Sequence, residues 1–203
     1  MLRISGTSNA FGSPPDYSKF GTDGGLTAYG SARRWVDFNF AAVALGTGAS
    51  APELVQVNGG TIQTRAFDGN VTAEQLFGSL ELNHDWAEGT IIKPHVHWMP
   101  TTTNAGNVKW RLTWAISQDG LLTGENTVTA VSAAGGVAWV EKRADFTDIN
   151  LAGYKIGAQF MYRLWRDPAN VDGQDTYPDD AAVQTFGLHV LIDTLGSASV
   201  GTK

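Results

Sequence analysis

The chain contains no cysteine. Disulfides, thiolate nucleophiles and cysteine-held metals are therefore excluded, and folding in a reducing cytoplasm is expected. No apolar run reaches the roughly eighteen residues a membrane helix needs, so no membrane partner is expected. The opening residues, MLRISGTSNAFGSPP, lack the apolar stretch of a secretory signal. Positive charge is scarce as well: 14 Lys and Arg against 20 Asp and Glu leave a net charge of −6. Neutralising phosphates takes a basic surface, so a nucleic-acid partner is not expected either. The P-loop, the GxGxxG turn after a strand and the GxSxG elbow are all missing.

The 203 residues that remain to be explained are 42% hydrophobic and 17% charged, enough for one sandwich-sized core. From Arg33 onward short stretches alternate between apolar and polar residues, separated by Gly, Asp and Asn turns. The clearest is NVKWRLTWAIS, with Val108, Trp110, Leu112, Trp114 and Ile116 on one face. YKIGAQFMYRLWRD and VQTFGLHVLIDTL repeat the pattern, and only VTAEQLF reads as a possible helical turn. Eight to ten such strands predict an all-β fold: a single jelly-roll-like antiparallel β-sandwich over residues 32–203. Residues 1–31 are rich in Gly, Ser and Pro and predict an extended N-terminal arm. Its aromatics, Phe11, Tyr17, Phe20 and Tyr29, are expected to anchor the arm on neighbouring subunits.

The segment ELNHDWAEGTIIKPHVHW, from Glu81 to Trp98, concentrates three of the four histidines. His95 and His97 are two apart on a strand and share a face. Such a pair can ligate zinc, iron or nickel, as in cupin-like metal-dependent enzymes, if a carboxylate or further imidazole joins it. The next stretch, WMPTTTNAGNVKW, supplies none, and Glu81, Asp85 and Asp193 are distant in sequence. A variant reading brings the pair from three subunits onto a three-fold axis around one ion. The expectation adopted is architectural: His84, His95, His97 and His189 form a polar seam bonded across strands, with no metal and no cofactor. Pro94, lacking an N–H, is expected at a sheet edge or strand start.

Two other clusters have ordinary readings. Asp167, Asp172, Asp175, Asp179 and Asp180 resemble a calcium loop in density, but their spacing is not that of an EF-hand, and a solvated turn is expected. Trp110 and Trp114 have core spacing. Trp35, Trp86, Trp139 and Trp165 are candidates for stacking on sugar rings.

The runs RRWVDFNF, AFDGN, LNHDWAEGTIIKPHVHWMPTT, AGNVKWRLTW, GYKIG, RLWRDPA and DTYPDDAAVQTFGLHVLIDTLGS together resemble a group of tailed-bacteriophage virion structural proteins. The resemblance spans about residues 33–197 and rests most on the PHVHW and DTLGS pieces. It implies a non-enzymatic particle component, located in the virion and made in the host cytoplasm. The expected partners are further copies of the chain, as a trimer, and the major capsid protein or tail proteins. A capsid decoration or cement role is expected first, and a tail- or fibre-associated, glycan-binding host-recognition module second.

Overall fold

The computed structural model describes residues 10–13, 16–21, 25–40, 44–45, 51–71, 74–169 and 171–196. Alternating sequence becomes strand almost everywhere, and no α-helix occurs among the described residues. The strands are β1 (Ala10–Ser13), β2 (Asp16–Phe20), β3 (Leu26–Tyr29), β4 (Arg34–Phe40), β5 (Ala44–Leu45), β6 (Glu53–Gln56), β7 (Gln63–Phe67) and β8 (Gln75–Glu81). They continue with β9 (Ile91–Pro100), β10 (Asn107–Gln118), β11 (Leu121–Leu122), β12 (Asn126–Ala133), β13 (Lys142–Asp145), β14 (Ile149–Asn150), β15 (Gln159–Arg166) and β16 (Ala181–Ile192).

Two antiparallel sheets carry the core. In the six-stranded sheet β11 and β12 flank one side of β10, followed by β15, β8 and β5. In the seven-stranded sheet β13 and β14 share one side of β9, and β16 lies on its other side. The far side of β16 is divided in turn: Ala181–Val183 pair with β7, and Phe186–Ile192 pair with β4. Strand β6 closes that edge beyond β7. Within these sheets the order β7-β16-β9-β13 runs through one layer and β8-β15-β10-β12 through the other.

The inner faces meet through the alternating rows. Trp110, Leu112, Ile116, Phe160 and Leu164 face Ile92, Val96, Trp98, Phe186, Leu188 and Val190, all buried. Trp98 meets Trp110 at 6.0 Å, and Tyr162 meets Phe186 at 4.4 Å, tying the layers together. Each large side chain withdrawn from water this way contributes about 1.5–3 kcal/mol. The protein is an all-β sandwich. Gly78, opposite Tyr162 in the register, makes room inside it: a Cβ there would lie 2.3 Å from the tyrosine ring.

Three sequence expectations change. Pro94 lies in the middle of a central strand, not at an edge. Its carbonyl accepts from Phe146 N–H, and it falls in the gap between the stretch paired with β14 and the stretch paired with β13. Its missing N–H therefore falls where the β14 pairing has stopped and the β13 pairing has not begun, and it interrupts neither ladder. The VTAEQLF stretch becomes strand β8 from Gln75 onward; residues 72–73 lie outside the described residues.

The leader expected as an extended arm pairs with itself. Strands β1, β2 and β3 form a three-stranded antiparallel meander, in which short β runs satisfy one another's backbone groups. Tyr17 is opposite Tyr29 in register, and their rings stack at 4.5 Å and 13°. Phe20 is half-buried, and the Phe11 backbone pairs opposite Ser18. The meander joins the sandwich where Ala28 N–H donates to Asp193 O at 2.6 Å and Thr27 bridges Thr194.

Candidate functional site

The outer face of the seven-stranded sheet carries a row of polar side chains. Alternation in β4 turns the half-buried Val36 and Phe38 toward the core side, which puts Asp37 and Asn39 outward. The register then sets His189 opposite Asp37 on one side and Lys93 on the other, with Gly187 opposite both Asn39 and His95. His97 lies opposite Thr185, and Arg143 opposite His97.

Gly187 creates the seat. A Cβ there would fall 2.6 Å from His95 Nε2 and 2.8 Å from Asn39 Oδ1, so the imidazole lies over bare backbone. Glycine inside a strand weakens it, and close approach of a neighbouring group is the usual reason for one. His95 is 0% exposed although it points away from the core. His189 stacks on it at 4.5 Å, and His97 meets it edge-on at 5.1 Å.

Neither ring nitrogen of His95 makes a hydrogen bond. Its Nε2 is 3.5 Å from Asp37 Oδ1, and His189 Nε2 is 3.9 Å from Asp37 Oδ2. One carboxylate therefore faces two imidazoles. Asn39 Nδ2 donates to Asp37 Oδ2 at 3.3 Å, and Thr185 Oγ1 donates to Asn39 Oδ1 at 3.5 Å. Burial pushes the His95 imidazole below its ordinary pKa, against the opposing pull of Asp37. Neutral imidazole is the form that accepts and ligates.

The seam expected from sequence is partly assembled. His95, His97 and His189 come together. His97 donates from Nδ1 to Glu141 at 2.5 Å and is thereby committed. His84 is elsewhere, 3.8 Å from Glu81, with its carbonyl accepting from Thr194 Oγ1. The hydrogen bonds expected across strands do not form at His95, whose contacts are ring faces and one carboxylate. Asp37 was missed. Its outward position was legible in the alternation of RRWVDFNF, but its arrival beside His95 depends on β16 lying between β4 and β9.

The acidic loop is solvated only in part: Asp172 is exposed, whereas Asp167 and Asp175 are buried. Arg166 is 0% exposed and spends all five guanidinium N–H groups: two on Asp175 (2.9 and 2.8 Å) and the others on the carbonyls of Phe67, Asp179 and Tyr177. Lys109, also buried, pairs with Asp172 and lies 3.7 Å from Asp167, while Arg111 Nε donates to Asp167 at 2.6 Å. The Lys109 hydrogen bond holds Asp172 below the usual carboxylate range. Asp179 accepts from Thr102 Oγ1 and Asn104 Nδ2. These carboxylates face the protein's own cations and donors, which removes the calcium reading.

The tryptophans divide clearly. Trp86, Trp98 and Trp110 are fully buried, and Trp165 lies between the guanidinium groups of Arg111 and Arg163 at 5.2 and 5.3 Å. Trp139 packs on a minor core cluster beside Met99. Trp35, 46% exposed under Lys93, is the one indole among the described residues that presents much of itself to solvent. No protein-family model matches this chain, and no curated protein matches it.

Proposed function

We propose that this protein is a structural component of a bacteriophage particle, a decoration or cement protein that stabilises the capsid shell as a homo-oligomer, in the first instance a trimer. The observation that carries the reading is the strand order. Taken from β7 onward, β7-β16-β9-β13 packed on β8-β15-β10-β12 supports a jelly-roll reading, an architecture used by viral capsid and lectin domains and by cupins. The resemblance of residues 33–197 to phage virion proteins supports the first of these uses. The reading is non-enzymatic, and the virion is the location it implies.

The meander built by β1–β3 supplies the second contact. Among its described residues none belongs to the main core cluster, which supports a role in contacts outside the sandwich. A small contact repeated over a lattice gains avidity by multivalency. The test is removal of residues 1–25, which keeps Thr27 and Ala28 against the last strand. The truncated chain is expected to stay folded by circular dichroism and to lose most of its binding to purified undecorated shells. Full retention on shells overturns the assigned role of the meander. The exposed face of Trp35 supports a second reading, a glycan-binding module of the tail; saturable binding on a glycan array that is lost in Trp35→Ala would favour it.

A further inference from the structure

We propose that Asp37, His95 and His189 form a binding site for one divalent transition-metal ion of the zinc, cobalt or nickel class. The inference is independent of where the protein resides. It reverses the sequence expectation of no metal, because the third ligand comes from a strand far upstream.

Geometry carries it. One ligand atom from each residue lies within 4.8 Å of the others. An ion held tetrahedrally at about 2.0–2.1 Å sets its ligand atoms roughly 3.3–3.4 Å apart. The two imidazole-to-carboxylate distances, 3.5 and 3.9 Å, are already near that value. Side-chain rotation suffices to close the set, since all three residues project from paired strands of one sheet.

Chemistry narrows the ion. Two imidazoles and a carboxylate suit borderline metals, whereas calcium and magnesium prefer all-oxygen sites. The buried His95 offers two ring nitrogens with no hydrogen bond, which is costly unless something accepts their lone pair or proton. Asp37 and His189 are partly exposed, with side-chain exposures of 33% and 25%, and provide the entry path. Asn39 orients the carboxylate from behind and is itself held by Thr185, the kind of support that ligating carboxylates have.

Neighbouring cations do not compete for the carboxylate. Lys93 is engaged by Asp148 at 3.3 Å and lies over Trp35, and Arg143 is engaged by Asp145 at 2.6 Å. An ion here would tie β4, β16 and β9, three adjacent strands, on the outer face of the sheet. Three protein ligands also leave a coordination position that water or a group from another molecule can fill.

The test uses the untagged full chain, dialysed against chelator and then titrated with zinc chloride, with cobalt(II) chloride as a spectroscopic probe. The expected result is a single equivalent of zinc per chain, a rise in thermal midpoint with excess zinc, and visible cobalt bands of a low-coordinate nitrogen–oxygen site. His189→Ala and Asp37→Asn, both at partly exposed positions and checked for folding, are expected to weaken zinc binding by about tenfold or more. His84→Ala is expected to bind as the parent does. Binding of less than about a tenth of an equivalent at saturating zinc overturns the proposal, as does unchanged affinity in folded His189→Ala and Asp37→Asn.

Discussion

Two polar clusters in this molecule were built to opposite rules. Around Arg166, at one end of the sandwich, every guanidinium N–H has an acceptor, and Asp175 returns two bonds to it. Around His95, on the outer face of the other sheet, a side chain equally removed from water has no hydrogen bond at either nitrogen. A saturated buried network holds the chain in place and has nothing left to offer a ligand. An unsaturated one is where a ligand can repay the desolvation. The acidic loop therefore reads as a fastening and the histidine cluster as the proposed receptor, although the sequence suggested a solvated turn for the first and architecture for the second.

The largest effect should come from breaking the fastening. Arg166→Met removes the guanidinium from the buried Asp175 carboxylate, which keeps the Lys109 N–H as a donor, and a loss of about 3–5 kcal/mol in unfolding free energy is expected, read by urea denaturation. A loss under about 1 kcal/mol would mean the clamp is dispensable and the contrast overstated. Next is Gly187→Ala, which drives a methyl into the His95 seat. About 1–3 kcal/mol of destabilisation is expected from this overpacking, together with weaker zinc binding. Gly124→Ala, with nothing near its Cβ, is the control and should be nearly silent.

Glu74 offers a third kind of buried polar group, one opposed by its neighbours. Burial raises its pKa from 4.5 to about 6, helped by the carboxylates of Asp68 and Asp180, although Asp68 N–H donates to it. The folded chain thus holds this proton more tightly than the unfolded chain. Its contribution to stability is greatest below pH 4.5 and falls as pH rises through about 6. Glu74→Gln should match the parent near pH 4 and exceed it by roughly 1–2 kcal/mol at neutral pH. A parent and variant with parallel stability–pH curves would count against the raised pKa. Smallest of all, Arg143→Ala removes an exposed pair with Asp145 and should change stability by about 0.5 kcal/mol or less.

Much of the fold could be read directly. Burial in β15 alternates without a break, and in β10 Val108, Trp110, Leu112 and Ile116 are buried on the side predicted, although Lys109, Thr113 and Ala115 on the other face are buried as well. Local pattern sufficed there because side-chain direction in a strand has a period of two, whatever the partner. Pro94 shows the limit: its tolerance depends on where two short partner strands happen to stop along β9. The leader shows another, since Gly- and Pro-rich composition marks turns without saying whether the pieces between them pair with each other. In the candidate site, the shared face of His95 and His97 was legible, but their third neighbour was sought nearby in the chain and came from β4.

The residue order settled which atoms face inward, because alternation, turn chemistry and the lack of cysteine are local properties that need no partner. Which strands became neighbours was settled only when the chain closed, since antiparallel pairing joins positions of any separation once both inner faces must leave water together. Asp37 meeting His95 and His189 across β16, and Asp175 meeting Arg166 under the loop, belong to that second kind of information.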